Sequence, residues 1–248
     1  MWLFTKTFHA FFDFPLVKSK SADLTDVNNY RAIAVSTAMS KLFESVIADE
    51  ITTASPADKY QFGFKFGHST GLCTSILKRT INYYASRGSH VFLCFIDFTK
   101  AFDKVNYWKL FNMLLDDGIS ISLVYLLSYW YSSQEMSVKW NCVSSGCFTI
   151  GNGTRQGGVL SPYLFNRYIR GLLQNIVNFD IGCYIGDMCV NILAYADDIV
   201  LLCPSWKGMQ SLIDKLLLCA ESINMSCNVT KTVCMVINPL NRSYSVII

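Results

Sequence analysis

Three carboxylates stand where an apolar core would ordinarily carry none. The stretch ILAYADDIVLLC, residues 192–203, is apolar except for the adjacent pair Asp197 and Asp198. The stretch VFLCFID, residues 91–97, is a continuous apolar run that ends in Asp97. The second reads as a strand buried on both faces, and each place delivers a carboxylate at the end of an apolar strand. Burying an ionised carboxylate is costly, and two side by side also repel. If the two strands are neighbours in one sheet, the three acids converge at one edge. Such a cluster is held by divalent cations or by raised pKa values. Oxygen ligands select Mg²⁺, which keeps waters and takes one or two carboxylates plus substrate phosphates. Two such ions about 4 Å apart activate a hydroxyl and stabilise a leaving pyrophosphate. The competing reading of Asp197–Asp198 is an ordinary turn, where Asp is favoured. Asp97 taken alone is equally unspecific.

The elements that must position these acids follow from periodicity. Residues 36–51 carry Met39, Leu42, Phe43, Val46, Ile47 and Ile51 at helical spacing, with Ser36 as N-cap. YQFGFKFGH, 60–68, reads as a loop. Ser69 caps a second helix to about Arg87, its inner face Leu72, Cys73, Ile76, Leu77, Ile81 and Tyr84, and Gly88 stops it. Asn106 caps a helix with Leu110, Phe111 and Leu114 inside, closing at Gly118. Residues 136–150 read as two strands around a Ser-Ser-Gly turn. GNGTRQGG is loop, and SPYLFNRYIRGLL is helix with Pro162 in its first turn. Residues 188–203 read as strand, tight turn, strand, residues 211–223 as helix, and residues 225–238 as a final hairpin. Helices mixed with hairpin-joined strands predict an α+β layered domain rather than a doubly wound one.

The chain has 248 residues, 52% of them hydrophobic, which excludes compositional disorder. A net charge of +3 permits a nucleic-acid partner without indicating one. Ten cysteines without a C-x-x-C pair, and only three histidines, argue against zinc, and the cysteines read as reduced, mostly buried thiols. The closest cysteine pairs are Cys142/Cys147 and Cys183/Cys189. The aromatic start MWLFTKTFHAFFDFPLV has no charged n-region or cleavage site, so no secretion signal is expected. The N-x-S/T matches at Asn152, Asn224, Asn228 and Asn241 therefore carry no meaning. ISISLVYLLSYWY, 119–131, is too short to span a bilayer, which takes about 20 apolar residues. The expectation is an intracellular protein of the nucleus or cytoplasm, not secreted and not in a membrane.

The order of motifs resembles reverse transcriptases, specifically the non-LTR (LINE-type) retrotransposon group. DVNNYRAIAVSTAMSKLFESVI resembles the first fingers motif and QFGFKFGHST the second. FIDFTKAFDKVN resembles the first catalytic palm motif, GTRQGGVLSP the template- and nucleotide-contacting motif, and AYADD the second catalytic motif. NVTKTVCMV is similar to the lysine-bearing motif that follows. The six span about residues 15 to 238 in family order. The resemblance implies a right-hand polymerase fold. Fingers would occupy about 15–90 and palm, an antiparallel sheet packed on helices, about 91–238. Residues 1–14 would be an atypical lead-in, and the thumb would be absent.

The resemblance also implies roles. Asp97 and Asp197 would be metal ligands, with Asp198 a weaker ligand or an electrostatic support. The cofactor would be two Mg²⁺ ions, with Mn²⁺ as a substitute. Lys231 would protonate pyrophosphate; its competing reading is a solvated turn lysine. Phe102 would clash with a ribose 2′-hydroxyl, or simply pack in the core, and Phe98 would be a further nucleotide-binding residue. Gln156 and Gly157 would line the incoming nucleotide, glycine allowing close backbone approach. Arg31 would grip the triphosphate with its planar fork. Arg155 reads as a nucleic-acid contact or a solvated loop charge, and Tyr195 as packed near the primer end or in the core. Lys65, with Lys18, Lys20, Lys78 and Arg79, would line a duplex path or merely the surface. The implied activity is RNA-directed DNA polymerisation with an RNA template, a DNA primer and dNTPs. Two alternatives are an inactive nucleic-acid-binding retrotransposon remnant and a maturase-like protein. The departures are RAI where RPI is common, and Arg167 and Arg170 in a helix that commonly carries an acid.

Overall fold

The computed structural model describes residues 10–21, 23–239 and 245–246. Most of the lead-in and the Asn241 match lie outside the described residues. The chain divides into two compact units, Met1–Pro56 with Val105–Phe165, and Ala57–Lys104 with Asn166–Ile248. The contiguous segments 15–90 and 91–238 are each shared between the units.

The first unit holds a sheet built on β1 (Ala10–Val17), β2 (Tyr30–Val35) and β4 (Glu135–Trp140), with two short strands, β5 (Val143–Ser144) and β6 (Phe148–Thr149). β1 pairs antiparallel with β2 from Phe12–Val35 to Val17–Tyr30, and parallel with β4 only through Asp13–Val138. Pro15 therefore falls where β1 has lost its second neighbour, the place a strand tolerates a missing N–H. β5 and β6 both pair with β4. The turn expected at Ser-Ser-Gly forms instead at Asn141–Cys142, where Asn141 takes a positive φ of 52°. Asn adopts the left-handed region more readily than most residues, so it outcompetes the longer serine loop.

Three helices complete this unit: α1 (Ala38–Ala54), α3 (Tyr107–Asp116) and α4 (Ile121–Ser132). Thr37 rather than Ser36 caps α1, accepting from the Ser40 N–H. The apolar spacing of α1 marks its inner face only in part: Ile47 and Ile51 are buried and Phe43 packs on Trp130. Met39, Leu42 and Val46 are exposed, whereas Ser40, Glu44, Ile47, Ala48 and Ile51 are buried. A buried ion pair at Glu44 sets that orientation, as described below. Asn106 caps α3 through the Lys109 N–H, with Leu110, Phe111 and Leu114 buried as expected. Trp130 and Tyr131 at the end of α4 are fully buried, and Trp130 meets Phe43 of α1 edge-on at 5.1 Å.

The second unit is organised by an antiparallel sheet of β3 (Val91–Ile96), β9 (Ile192–Tyr195), β10 (Asp198–Cys203), β11 (Val233–Ile237) and β12 (Ser245–Val246), in the order β12-β11-β3-β10-β9. α2 (Thr70–Ala85), capped by Ser69, covers one face. Its Cys73, Ile76, Leu77, Ile81 and Tyr84 pack on Val91, Leu93, Leu193, Val200 and Leu202. Leu72 faces out, the one member of the expected inner face that does so. Residues of opposite parity serve the other face, where Phe92 meets Trp206 of α6 (Trp206–Ser222) at 5.9 Å. α6 begins five residues before the expected 211, because Ser205 caps it by accepting from the Gly208 N–H. A small hairpin, β7 (Cys183–Ile185) with β8 (Met188–Val190), completes the unit. α5 (Ser161–Val177) joins the two units in sequence.

Two expectations change here. β3 is not closed on both faces, since Phe95 near its end is 38% exposed. Residues 225–238 form no hairpin of their own. Only Val233–Ile237 is strand, and it pairs with β3 and with β12. Residues 226–232 are diverted by bonds to the backbone around Asp97. Among the described residues no helix is long and apolar enough to cross a membrane.

Candidate active site

The first element of the candidate site is an open sheet end. β3 and β10 pair antiparallel up to Ile96–Ile199. One step beyond that last pair, Asp97 and Asp198 come opposite each other. Cross-strand partners share a face, and both carboxylates line a cavity of about 380 Å³ beside Tyr195, Phe95, Thr74 and Cys73. Lys231 lines the same cavity. It reaches there because the 226–232 loop is tied to Asp97 on both sides. The Asn228 N–H donates to the Asp97 carbonyl at 2.7 Å, and the Asp97 N–H donates to Thr232 Oγ1 at 3.4 Å. Thr99 adds an N–H bond to the Ser226 carbonyl at 2.9 Å. A lysine 134 positions from Asp97 (231 − 97) is thereby brought to it by strand pairing.

Asp197 lies in the two-residue β9–β10 turn, half-buried, and is not among the cavity-lining residues. Tyr195 and Asp198 close this turn as a pair. Ala196 has a φ of 57° while Asp197 does not have a positive φ, the pattern of a II′ hairpin turn. The turn rests on Gln61. Gln61 Oε1 accepts from the N–H groups of Gly63 and Ala196, each at 2.8 Å, and its Nε2 donates to the Ala196 carbonyl at 3.0 Å. Sequence reasoning passed over Gln61 within a presumed loop. The available signal was one uncharged polar residue between Tyr60 and Phe62, both of which are buried.

The remaining candidates belong to other elements of the two units. Phe102 is half-buried in a 3₁₀ turn (Phe102–Lys104), its ring edge-on to Phe64 at 6.2 Å. Phe98 is only 5% exposed and bridges Cys227, so its ring belongs to the core and only its backbone is available. Lys65 donates to the Asp58 carbonyl at 3.1 Å, which folds its ammonium back onto its own loop. In the first unit, Arg31 on β2 is exposed, paired in register with Leu16.

Arg155 is corrected by the structure. Its side chain is 3% exposed and its Nη2 bonds Glu44 Oε1 at 2.6 Å. Its guanidinium lies 3.9 Å from the Phe11 ring centre, with Trp130 and Tyr131 further round. Glu44 Oε2 also accepts from the Leu160 N–H at 3.0 Å. Arg155 is neither a solvated charge nor an exposed nucleic-acid contact; it anchors the 154–160 loop. Burial pushes the Tyr131 phenol up to about 12, so it stays a neutral neighbour of this pair. The anchored loop presents Gln156, half-buried, whose carbonyl accepts from the Ala34 N–H at 2.7 Å.

Gly157 has a φ of 108°, and a Cβ there would meet the Ala34 carbonyl oxygen at 2.7 Å. The close approach that requires glycine is thus to β2. Gly157→Ala is expected to cost about 1–3 kcal/mol through strain and displacement of β2. Denaturant unfolding of the variant measures it.

The donor set suits a hard cation. Among the described residues no three His, Cys, Asp or Glu side chains close on one point. Mg²⁺ asks only for one or two carboxylates plus phosphate and water oxygens. Asp97 and Asp198, accessible and facing one cavity, meet that requirement.

A family model described as reverse transcriptase (RNA-dependent DNA polymerase) matches residues 17–244. The Pol polyprotein of the type-2 retrotransposable element R2DM of Drosophila melanogaster is 25% identical over 203 residues, 82% of this chain and 19% of that protein. An R2 element Pol polyprotein of Popillia japonica is 28% identical over 192 residues, 74% of this chain and 26% of that protein. The chain thus spans about a fifth to a quarter of the length of these relatives. Among solved structures, a Candida albicans telomerase in complex with a TWJ fragment of telomeric RNA superposes with a TM-score of 0.63 at 12% identity, over 97% of this chain and 44% of that one. An apo telomerase from Candida tropicalis gives 0.61 at 13% identity, over 88% and 53%. The α+β architecture is that of a polymerase fingers and palm. This chain belongs to the reverse transcriptase (RNA-dependent DNA polymerase) family.

Proposed function

We propose that this chain carries the nucleotidyl-transfer site of an RNA-directed DNA polymerase, working on an RNA template with a DNA primer and dNTPs. The observation that supports this most is the shared cavity of Asp97, Asp198 and Lys231 in a chain of this family. Asp97 and Asp198, with Asp197 in the adjoining turn, would hold the Mg²⁺ ions. Bound Mg²⁺ would neutralise phosphate charge and lower the pKa of the attacking primer 3′-hydroxyl. The 3′-oxygen forms a bond to the α-phosphorus as the bond to pyrophosphate breaks. Lys231, which lines the same cavity, would give a proton to that leaving group. Arg31, Gln156 and Gly157 keep their nucleotide-binding roles as proposals, as does Tyr195 at the primer end. The ten cysteines, all free, fit the reducing interior of a cell, nucleus or cytoplasm.

Primer extension on an RNA template tests the reading. Incorporation is expected to stop on chelation with EDTA and to return with added Mg²⁺. Equal, negligible incorporation by the wild type and by Asp197→Asn would sink it. Phe102 carries the sugar selection in this proposal. Phe102→Ala is expected to raise ribonucleotide use relative to dNTP by about 10–100-fold, the scale of one steric contact. Unchanged discrimination would show that Phe102 only packs on Phe64.

A further inference from the structure

We propose that Gln61 is a positioning residue that aims the acidic turn, acting through the peptide groups of Ala196 and Gly63. The inference rests on the reading of Asp97, Asp197 and Asp198 as metal-holding groups. Gln61 is wholly buried, though its amide carries two donors and two acceptor sites. Three of its hydrogen bonds go to backbone groups of two segments that are 133 residues apart (196 − 63). Ala196 is gripped from both ends of the residue, at N–H and at C=O. That residue holds a φ of 57°, which a side chain with a Cβ disfavours. Relaxation of φ at Ala196 would rotate the peptide leading into Asp197 and shift where Asp198 enters β10.

The clamp is itself fixed. Phe62 donates to the Ala194 carbonyl at 2.8 Å, and Ala194 donates to the Tyr60 carbonyl at 3.0 Å. Residues 60–62 are thus a short parallel extension of β9 that ends at the turn. Gly63 lies so close that a Cβ would stand 2.3 Å from the Ala196 nitrogen. Asn166 Nδ2 of α5 holds the Gly63 carbonyl at 3.1 Å. None of these groups reaches the cavity, so their effect on chemistry passes through the turn.

The test compares Gln61→Leu, which keeps volume and loses all three bonds, with Gln61→Glu, which keeps an acceptor but not the donor to the Ala196 carbonyl. Leu212→Ala in the core of α6 is the stability-matched control. Mn²⁺ binding to the full chain, read by electron paramagnetic resonance, reports on the site without requiring turnover. Gln61→Leu is expected to weaken Mn²⁺ binding about 10-fold or more, with Gln61→Glu intermediate, as for other groups that support metal ligands. The Mg²⁺ concentration for half-maximal extension should rise in parallel, with the dNTP KM within about 2-fold of wild type. Leu212→Ala should lower the melting temperature and leave both metal readouts unchanged. Metal affinity unchanged in both Gln61 variants, or lowered equally in Leu212→Ala, overturns the proposal. So does a wild type that binds no Mn²⁺. A wild type that binds Mn²⁺ but extends no primer sinks the polymerase reading, while the Mn²⁺ comparison still decides the clamp.

Discussion

Asp97→Asn and Asp198→Asn are each expected to lower primer extension by on the order of 10³-fold while leaving the fold as stable as before, or slightly more so. The activity term follows from charge. Phosphoryl transfer asks the protein mainly for positioning and for groups that hold cations against phosphate. A single preorganised electrostatic contact at a reacting centre is worth about 10²–10³-fold. Loss of a whole ligand charge falls at the upper end or beyond. The stability term has the opposite sign. Asp97 and Asp198 face each other across β3 and β10, one half-buried and one exposed. Like charges directly opposite are destabilising, and removing one relieves roughly 0.2–1 kcal/mol. Thermal unfolding without divalent ions should thus show equal or higher melting temperatures for both variants. Adding Mg²⁺ should raise the melting temperature of the wild type more than theirs, because a ligand stabilises the state that binds it. The ranking is informative too. Sequence resemblance makes Asp197 the stronger ligand, whereas strand register puts Asp198 opposite Asp97. If Asp198→Asn retains near-normal extension while Asp197→Asn loses it, the cavity geometry is not the working geometry.

The second large effect lies away from the acids. Glu44→Ala is expected to destabilise the chain by about 3–5 kcal/mol, because it leaves a buried guanidinium uncompensated. Glu44 is fully buried, bonds Arg155 at 2.6 Å and also accepts from the Leu160 N–H. The rings of Phe11, Trp130 and Tyr131 flank the guanidinium and cannot replace a carboxylate. Replacing both partners with apolar residues, Glu44→Leu with Arg155→Met, should recover most of the loss, since such a pair roughly balances desolvation against attraction. Urea unfolding of the two singles and the double closes the cycle. A cost below about 1 kcal/mol for Glu44→Ala would mean that the pair is solvated in solution. The 154–160 loop should also loosen in Glu44→Ala, visible as faster amide exchange at Leu160.

What the sequence alone determined was local. Apolar runs bounded by acids marked β3 and β10, because a largely buried strand needs no polar residues until it reaches the end of the sheet. Ser69 and Asn106 marked helix starts, because capping is a bond within four residues. The motif order pointed to the family that the family model matches over residues 17–244. Tertiary structure decided whatever depended on partners far along the chain. Helical spacing on α1 pointed to Phe43, Ile47 and Ile51, which face inward, and equally to Met39, Leu42 and Val46, which do not; the buried face takes in Glu44 instead, paired with an arginine 111 positions away. Arg155 looked like an exposed loop cation until three aromatic rings closed around it. Gln61 looked like loop until its amide met a turn 135 positions later. Which aspartate faces Asp97 was set by strand register, and moving a strand by one residue exchanges every side chain between faces. Local signals name the candidate residues; long-range pairing of buried polar groups decides where they point.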